Sequence, residues 1–390
     1  FDNFEWLRDL RAFGGSRARS RARQIIDQWV QQNHNWHLGR WQPDIMGQRI
    51  ANLIFCYGWY APSATENFQA RLAQSITLQA RCLALDWQRL FSQTAQLTAL
   101  KGLLVAQSAL GATAEDLSAL LELTLPLIDQ VTLTDGGHKS RMPDTHLKLM
   151  RDLVEIRNTA PTSDVKRIKQ LSKKISQMAA ICRMWRHADG KMANFNGAGM
   201  INATHIEEIV TRAAPRGKVL QQAPHCGFLR FSSGRTTLIV DAGTPAPKQH
   251  GDDVVRGLGT LSFEMSIGMT PLVVNAGQTA ADPNLRRLLC STAAHSTLSL
   301  DDLNSSDIAA GRLAKISGVE VGPATGGILA IASHEGYEPS HGILHHRKLY
   351  LAAGGGNLRG SDTLEYTGAP GEVPRHAILR FHLHNKVASD

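Results

Sequence analysis

The stretch LSFEMSIGMTPLVVNAG, residues 261–277, decides the fold of the second half of this chain. Apolar and polar residues alternate on either side of Gly268-Met269, which predicts two antiparallel strands and a turn. Next comes LRRLLCSTAAHSTLSLDDLN, residues 285–304, where a small-residue run carries one histidine, His295, into another alternating strand. Working outward, the same period recurs from about Gly217 onward, over residues 228–231, 237–241, 314–321, 328–334, 342–352 and 377–383. Gly, Pro and Asn punctuate these segments, and their even spacing predicts an antiparallel sandwich or barrel. Residues 241–259 read as a long turn-rich loop.

The first half has another texture. Up to about residue 210 it is rich in Leu, Ala, Gln and Arg, with apolar residues at helical spacing. Helices are predicted over 18–31, 45–57, 64–83, 95–110, 114–132, 147–158 and 165–184. Breakers such as Ala61-Pro62, Gly111 and Asp135-Gly136-Gly137 separate them into successive hairpins. No strict repeat marks a solenoid. A chain of 390 residues is long enough for two domains, expected at 1–212 and 213–390.

The formal charge of +8 favours an acidic partner: nucleic acid, anionic lipid or acidic polysaccharide. No nucleic-acid-binding motif accompanies the charge, so no nucleic-acid partner is expected. The densest basic run, Arg17, Arg19, Arg21 and Arg23, reads as a solvated helix face. No apolar run approaches a membrane span. The five cysteines, Cys56, Cys82, Cys182, Cys226 and Cys290, form no CxxC pair, which argues for buried thiols rather than disulfides or a zinc knuckle. The opening FDNFEWLRDLRA has no initiator Met and no signal peptide, and reads as a mature form or a fragment.

Two further stretches join those quoted above: TLTDGGHKSRMP, residues 132–143, and HEGYEPSHGILHHRKLYL, residues 334–351. Together, in this order and spacing, they resemble the bacterial heparinase II/III-type polysaccharide lyases over nearly the whole chain. The resemblance implies an α+β protein, an incomplete α/α toroid followed by an antiparallel β-sandwich. It also implies β-elimination on a uronate-containing polysaccharide. In that chemistry a neutralised carboxylate makes the adjacent proton removable, a tyrosine serves as base or acid, a sandwich histidine assists, and zinc organises the sandwich.

This chain departs from that pattern. The family's Asn-His pair falls near Thr94-Ala95 and its tyrosine on Thr145. Its HGHAD stretch falls on residues 255–259, with Gly257 inside, and its zinc aspartate falls on Asn275. His295 alone keeps a zinc-ligand identity. Zinc needs three or four suitable ligands, so no cofactor is expected and zinc is doubtful. Threonine offers no base at neutral pH.

Other residues are left as candidates. His138 and Arg141 flank a Gly-Gly turn entering a helix, as base and bidentate carboxylate partner, or simply as turn and cap. In WRHADGKMANFNGAG, residues 185–199, His187 is a second candidate base, with Asp189 and Asn196 as substrate-binding groups; an Asp-Gly linker turn is the alternative. Trp36 and Trp41, in NWHLGRWQPD, are candidates for stacking on sugars, against a core role. His345-His346 and His382-x-His384 raise a relocated metal site without an evident third ligand. The expected function is binding or β-elimination of an acidic polysaccharide with degenerate machinery. The alternatives are a non-catalytic glycan-binding or envelope-assembly protein, and a glycoside hydrolase using Asp135 and Asp189. Family habit points to the bacterial periplasm or envelope, and the missing export signal to the cytoplasm.

Overall fold

Side chains three and four apart build the helices of the first half. They are α1 (Trp6–Phe13), α2 (Gly15–Gln32), α3 (Pro43–Tyr60), α4 (Glu66–Asp86), α5 (Gln93–Ala109), α6 (Ala114–Val131), α7 (Pro143–Thr159), α8 (Val165–Trp185) and α9 (Ala203–Ala213). The computed structural model describes residues 1–247, 256–277, 282–369 and 371–387. The expected loop at 241–259 therefore lies partly outside the described residues. Two compact units emerge: residues 1–131 with 151–173, and residues 132–150 with 174–390.

In the first unit, α3 packs on α5 at backbone distance. A Cβ at Gly102 would lie 2.2 Å from the Gly47 Cα, so only glycines permit this approach. Ile50, Leu53, Leu100 and Leu103 fill the adjoining core with Trp29. Beside that core the helices bury charge. Lys101, fully buried, donates to Asp152 at 2.7 Å and to Gln48, and lies 3.5 Å from Glu155. Thr98 donates to Asp152 at 2.8 Å, and Arg8 pairs with Glu155 at 2.6 Å. Among the described residues no helix is long and apolar enough to cross a membrane.

The second unit holds α9, the start of α7 and the end of α8, and a β-sandwich. One sheet runs in the order β1 (Gln222–Ala223), β2 (Phe228–Ser233), β3 (Thr236–Asp241), β4 (Phe263–Ile267), β5 (Thr270–Val273). Leu298–Leu300 forms β6. The other sheet is antiparallel in the order β10-β9-β8-β7, from β7 (Ile316–Ala324), β8 (Gly327–Tyr337), β9 (Ile343–Ala352) and β10 (Leu358–Tyr366). A small ladder pairs β6 with β11 (Ala377–Leu379), and two short helices, α10 (Pro283–Leu289) and α11 (Glu338–His341), cross between strands. Leu229, Leu238, Phe263 and Met265 of one sheet meet Ala330, Ala332, Leu349 and Leu351 of the other. This is sandwich packing, not a closed barrel. Strand β10 has no counterpart among the predicted segments. It is an edge strand whose residues are mostly exposed, so it carries little apolar alternation.

Candidate functional site

The period of two in β4 sends Phe263 and Met265 into the sandwich core and Glu264 and Ser266 to the opposite face. Glu264 is only 3% exposed, so its carboxylate needs partners. One oxygen accepts the backbone N–H of Asn194 at 2.9 Å and of Asn275 at 3.0 Å. The other lies 3.3 Å from His187 Nε2. His187 Nδ1 in turn meets the Ser266 hydroxyl at 2.8 Å. A proton on Nε2 is donated to the carboxylate, and Nδ1 is engaged with the serine hydroxyl. Both ring nitrogens are then engaged.

His187 stands where it does because α8 ends at Trp185 and the chain reverses. The Gly190 N–H donates to the His187 carbonyl, with Gly190 at φ +83°, and Asp189 accepts the Lys191 N–H at 3.0 Å. Asp189 thus shapes its own turn. Asn275 reaches the neighbouring segment, its Oδ1 accepting the Ser296 N–H at 3.1 Å.

His295 lies close by, 2% exposed. Its Nδ1 is 2.7 Å from the Ser291 carbonyl, so Nδ1 carries the proton. Burial pushes its pKa down to about 4, aided by His382 and opposed by the Ser291 carbonyl and Glu264. The residues around it do not suit zinc. Asn275 turns its oxygen to Ser296, and its buried Nδ2, a donor, has no partner among the described residues. A side chain at Gly257 would meet the backbone of Asn196 and Gly197 at 2.8–3.0 Å, and one at Gly259 would meet the His295 ring at 2.4 Å. Among the described residues no group of three His, Cys, Asp or Glu is gathered for a metal. His345 sits between His334, at 3.1 Å, and Asp362, at 2.6 Å, while His382 Nε2 faces the Ala293 carbonyl.

The Asp-Gly-Gly-His segment forms a different centre. Asp135 accepts the N–H groups of His225 and Cys226 at 2.9 and 2.7 Å. Arg141, at φ +59°, donates to the carbonyls of Cys226, Gly243, Thr244 and Gly227 and pairs with Asp241. Its guanidinium also covers the Phe228 ring, 4.9 Å from the centroid. Asn196, at φ +56°, closes the hub by donating to the Arg141 carbonyl and to Asp241, both at 3.1 Å. Burial raises the Asp241 pKa against the opposing pull of Arg141. His138 is buried beside this hub. Its Nδ1 accepts the Ser140 N–H at 3.0 Å and contacts the Ser140 hydroxyl at 2.7 Å. Burial first, then His146, Arg256 and Lys139, push it down to about 3.

The structure therefore joins Arg141 to Asn196 through Asp241, and sets His187 and His295 around Glu264. Trp36 is 63% exposed and Trp41 4%, both in the helical unit. Thr145 lies in the first turn of α7, its hydroxyl 3.4 Å from Asp144. The group that residue-by-residue reading missed is Glu264 with Ser266. Its signal was present in LSFEMS, where a strand with an apolar face carries an acid on the other.

Comparison with known proteins agrees with this architecture. Residues 215–390 match the family model described as heparinase II/III-like, C-terminal. A heparinase III crystal structure superposes with a TM-score of 0.66 at 12% identity, covering 90% of this chain and 60% of that one. Heparan sulfate lyase HepC from Pedobacter heparinus gives 0.58 at 16% identity, with the same coverages. The chain thus spans about 60% of the length of these lyases, and the likeness establishes the fold: an α/α toroid with a β-domain. A Caulobacter vibrioides protein named FtsZ-localized protein C is 28% identical over 400 residues, covering 98% of this chain and 68% of its own length.

Proposed function

Because the chain belongs to the heparinase II/III-like family, related to polysaccharide lyases, we propose that it binds an acidic, uronate-containing polysaccharide without cleaving it, as a bacterial glycan-binding or envelope-assembly protein. One observation carries this reading: the candidate groups for elimination are engaged internally. The Arg141 donors serve four carbonyls and Asp241, so none remains for a substrate carboxylate. His138 is buried and a weak base, and both nitrogens of His187 are held. Elimination needs a base and a neutralised carboxylate at the same moment. The charge of +8 supports an anionic ligand. The Caulobacter relative is named for its localisation and not for a reaction, which is compatible with this reading. Uronate glycans incubated with the chain are expected to bind at low salt and to give no ultraviolet absorbance from an unsaturated product. Turnover by the wild-type chain would defeat this reading.

A second reading rests on His187. A carboxylate orienting an imidazole is the arrangement of a general base, and Glu264 holds His187 in that way. Release of Ser266 would expose Nδ1 for proton abstraction. Unsaturated product formed by the wild type and abolished in His187→Ala selects this reading.

A further inference from the structure

Three hairpin turns of the sandwich unit meet around a pocket of about 520 Å³. That volume lies within the roughly 300–1,000 Å³ usual for small-ligand sites. The Gly234-Arg235 turn joins β2 to β3, the Gly268-Met269 turn joins β4 to β5, and the Gly354–Gly356 turn joins β9 to β10. The first and third interlock. A Cβ on Gly234 would lie 2.2 Å from the Gly354 carbonyl oxygen, and one on Gly355 would lie 2.0 Å from that of Ser233. Thr236, buried, pins them by donating to the Gly355 carbonyl at 2.7 Å. The Gly268 N–H donates to the Arg235 carbonyl at 2.7 Å and ties the second turn to the first. The wall is built into the fold before any ligand arrives.

The chemistry of the lining is lopsided. Met265, Leu272 and Leu358 belong to the sandwich core or pack against it, and they give the pocket an apolar floor. Ile267, 41% exposed, extends this surface to the rim. Among the described residues no acidic residue lines the pocket, and Arg235 is its only charged one. Gly268 lets the arginine lie across the second turn, since a Cβ there would sit 2.7 Å from Arg235 Nη2. Among the described residues Arg235 has no ion-pair partner. An apolar hollow with one unpaired cation at its lip is complementary to an apolar body ending in an anion.

We propose that this pocket is a binding site for a small amphiphilic anion, an aliphatic tail with a terminal carboxylate. The tail covers Met265, Leu272 and Leu358, and the carboxylate pairs with Arg235. The site is independent of the glycan reading. Calorimetric titration of the whole chain with octanoate, octanol and octylammonium tests it, the three sharing one tail. Saturable binding of octanoate at one site is expected, with octanol about ten-fold weaker and octylammonium weaker still. Arg235→Glu, at an exposed position, is expected to leave thermal unfolding unchanged and to reverse the order, favouring octylammonium. Ile267→Glu is expected to weaken octanoate while Arg235 stays in place. Absence of saturable octanoate binding overturns the proposal. Equal binding of octanoate and octanol reduces the pocket to an apolar crevice and overturns the anion assignment. Undiminished octanoate binding by Arg235→Glu removes this pocket as the site.

Discussion

The helical unit buries Lys101, Asp152, Glu155, Arg49 and Arg151, whereas the sandwich unit buries His138, His146, His295, His334 and His345. The two histidines of the helical unit, His34 and His37, are exposed. Both units bury fixed charges, Lys101 with Asp152 and Glu155 in one and Arg141 with Asp241 in the other, but only the sandwich unit adds buried, hydrogen-bonded imidazoles. Fixed charges demand a partner at every pH. Neutral imidazoles demand only that the solvent not protonate them. The sandwich unit should therefore carry an acid sensitivity through its histidines that the helical unit lacks.

The largest effect is expected from Lys101→Met. It leaves Asp152 and Glu155 buried with one cation fewer, and removing one partner of a buried pair costs about 3–5 kcal/mol. Urea unfolding of the whole chain would show the loss as a lower midpoint, with the helical unit melting first. A second change, Asp152→Leu on the same background, should restore part of it, since an apolar replacement of both partners relieves the stranded charge. A loss below about 1 kcal/mol in the single variant would mean that water reaches Lys101, and the contrast between the units would then dissolve.

Acid should find the other unit. Burial pushes His146 and His295 down to about 4, and His138 to about 3. His334 falls well below its ordinary value through burial, with His345 and Arg347 adding to it. His345 falls through burial against the opposing pull of Asp362. Unfolded, these rings titrate near 6.5. Between about pH 6.5 and pH 4 the unfolded chain therefore binds more protons. The contribution is complete above about pH 6.5 and is lost as pH falls, by about 1.4 kcal/mol per pH unit for each histidine. Hydrogen exchange at pH 7 and pH 5 should show protection lost in β3, β4, β8 and β9 while α3 and α5 remain protected. Equal loss in both units would break the comparison.

The sheet was legible where one face is apolar. Phe263 and Met265 alternate with Glu264 and Ser266, and β4 reads directly from the sequence. Strand β10 did not read, because at an exposed edge only Leu358, Asp362 and Leu364 are even half-buried. The candidate site was half legible. A polar loop around His187 draws notice by its residue density, but its partner Glu264 is 77 positions away, and only tertiary structure joins them. Arg141 and Asn196 expose the harder difficulty. A polar side chain in a glycine-rich loop looks the same in sequence whether it faces solvent or closes a buried hub. Here both adopt positive φ, with geometry set by Asp241, 100 residues from Arg141.

The smallest expected effect separates the two units by ligand rather than by stability. Trp36 is mostly exposed and Trp41 is buried, although five positions apart. Trp36→Ala should change unfolding free energy by no more than about 0.5 kcal/mol, as surface substitutions do. If uronate glycans stack on the helical unit, the same change should weaken their binding about five-fold, or ~1 kcal/mol. His187→Ala probes the sandwich unit in the same titration. A loss confined to Trp36→Ala assigns glycan contact to the helical unit. A loss confined to His187→Ala assigns it to the face of β4 that carries Glu264 and Ser266. Loss in both, with additive free energies, means that each residue contributes to binding independently of the other.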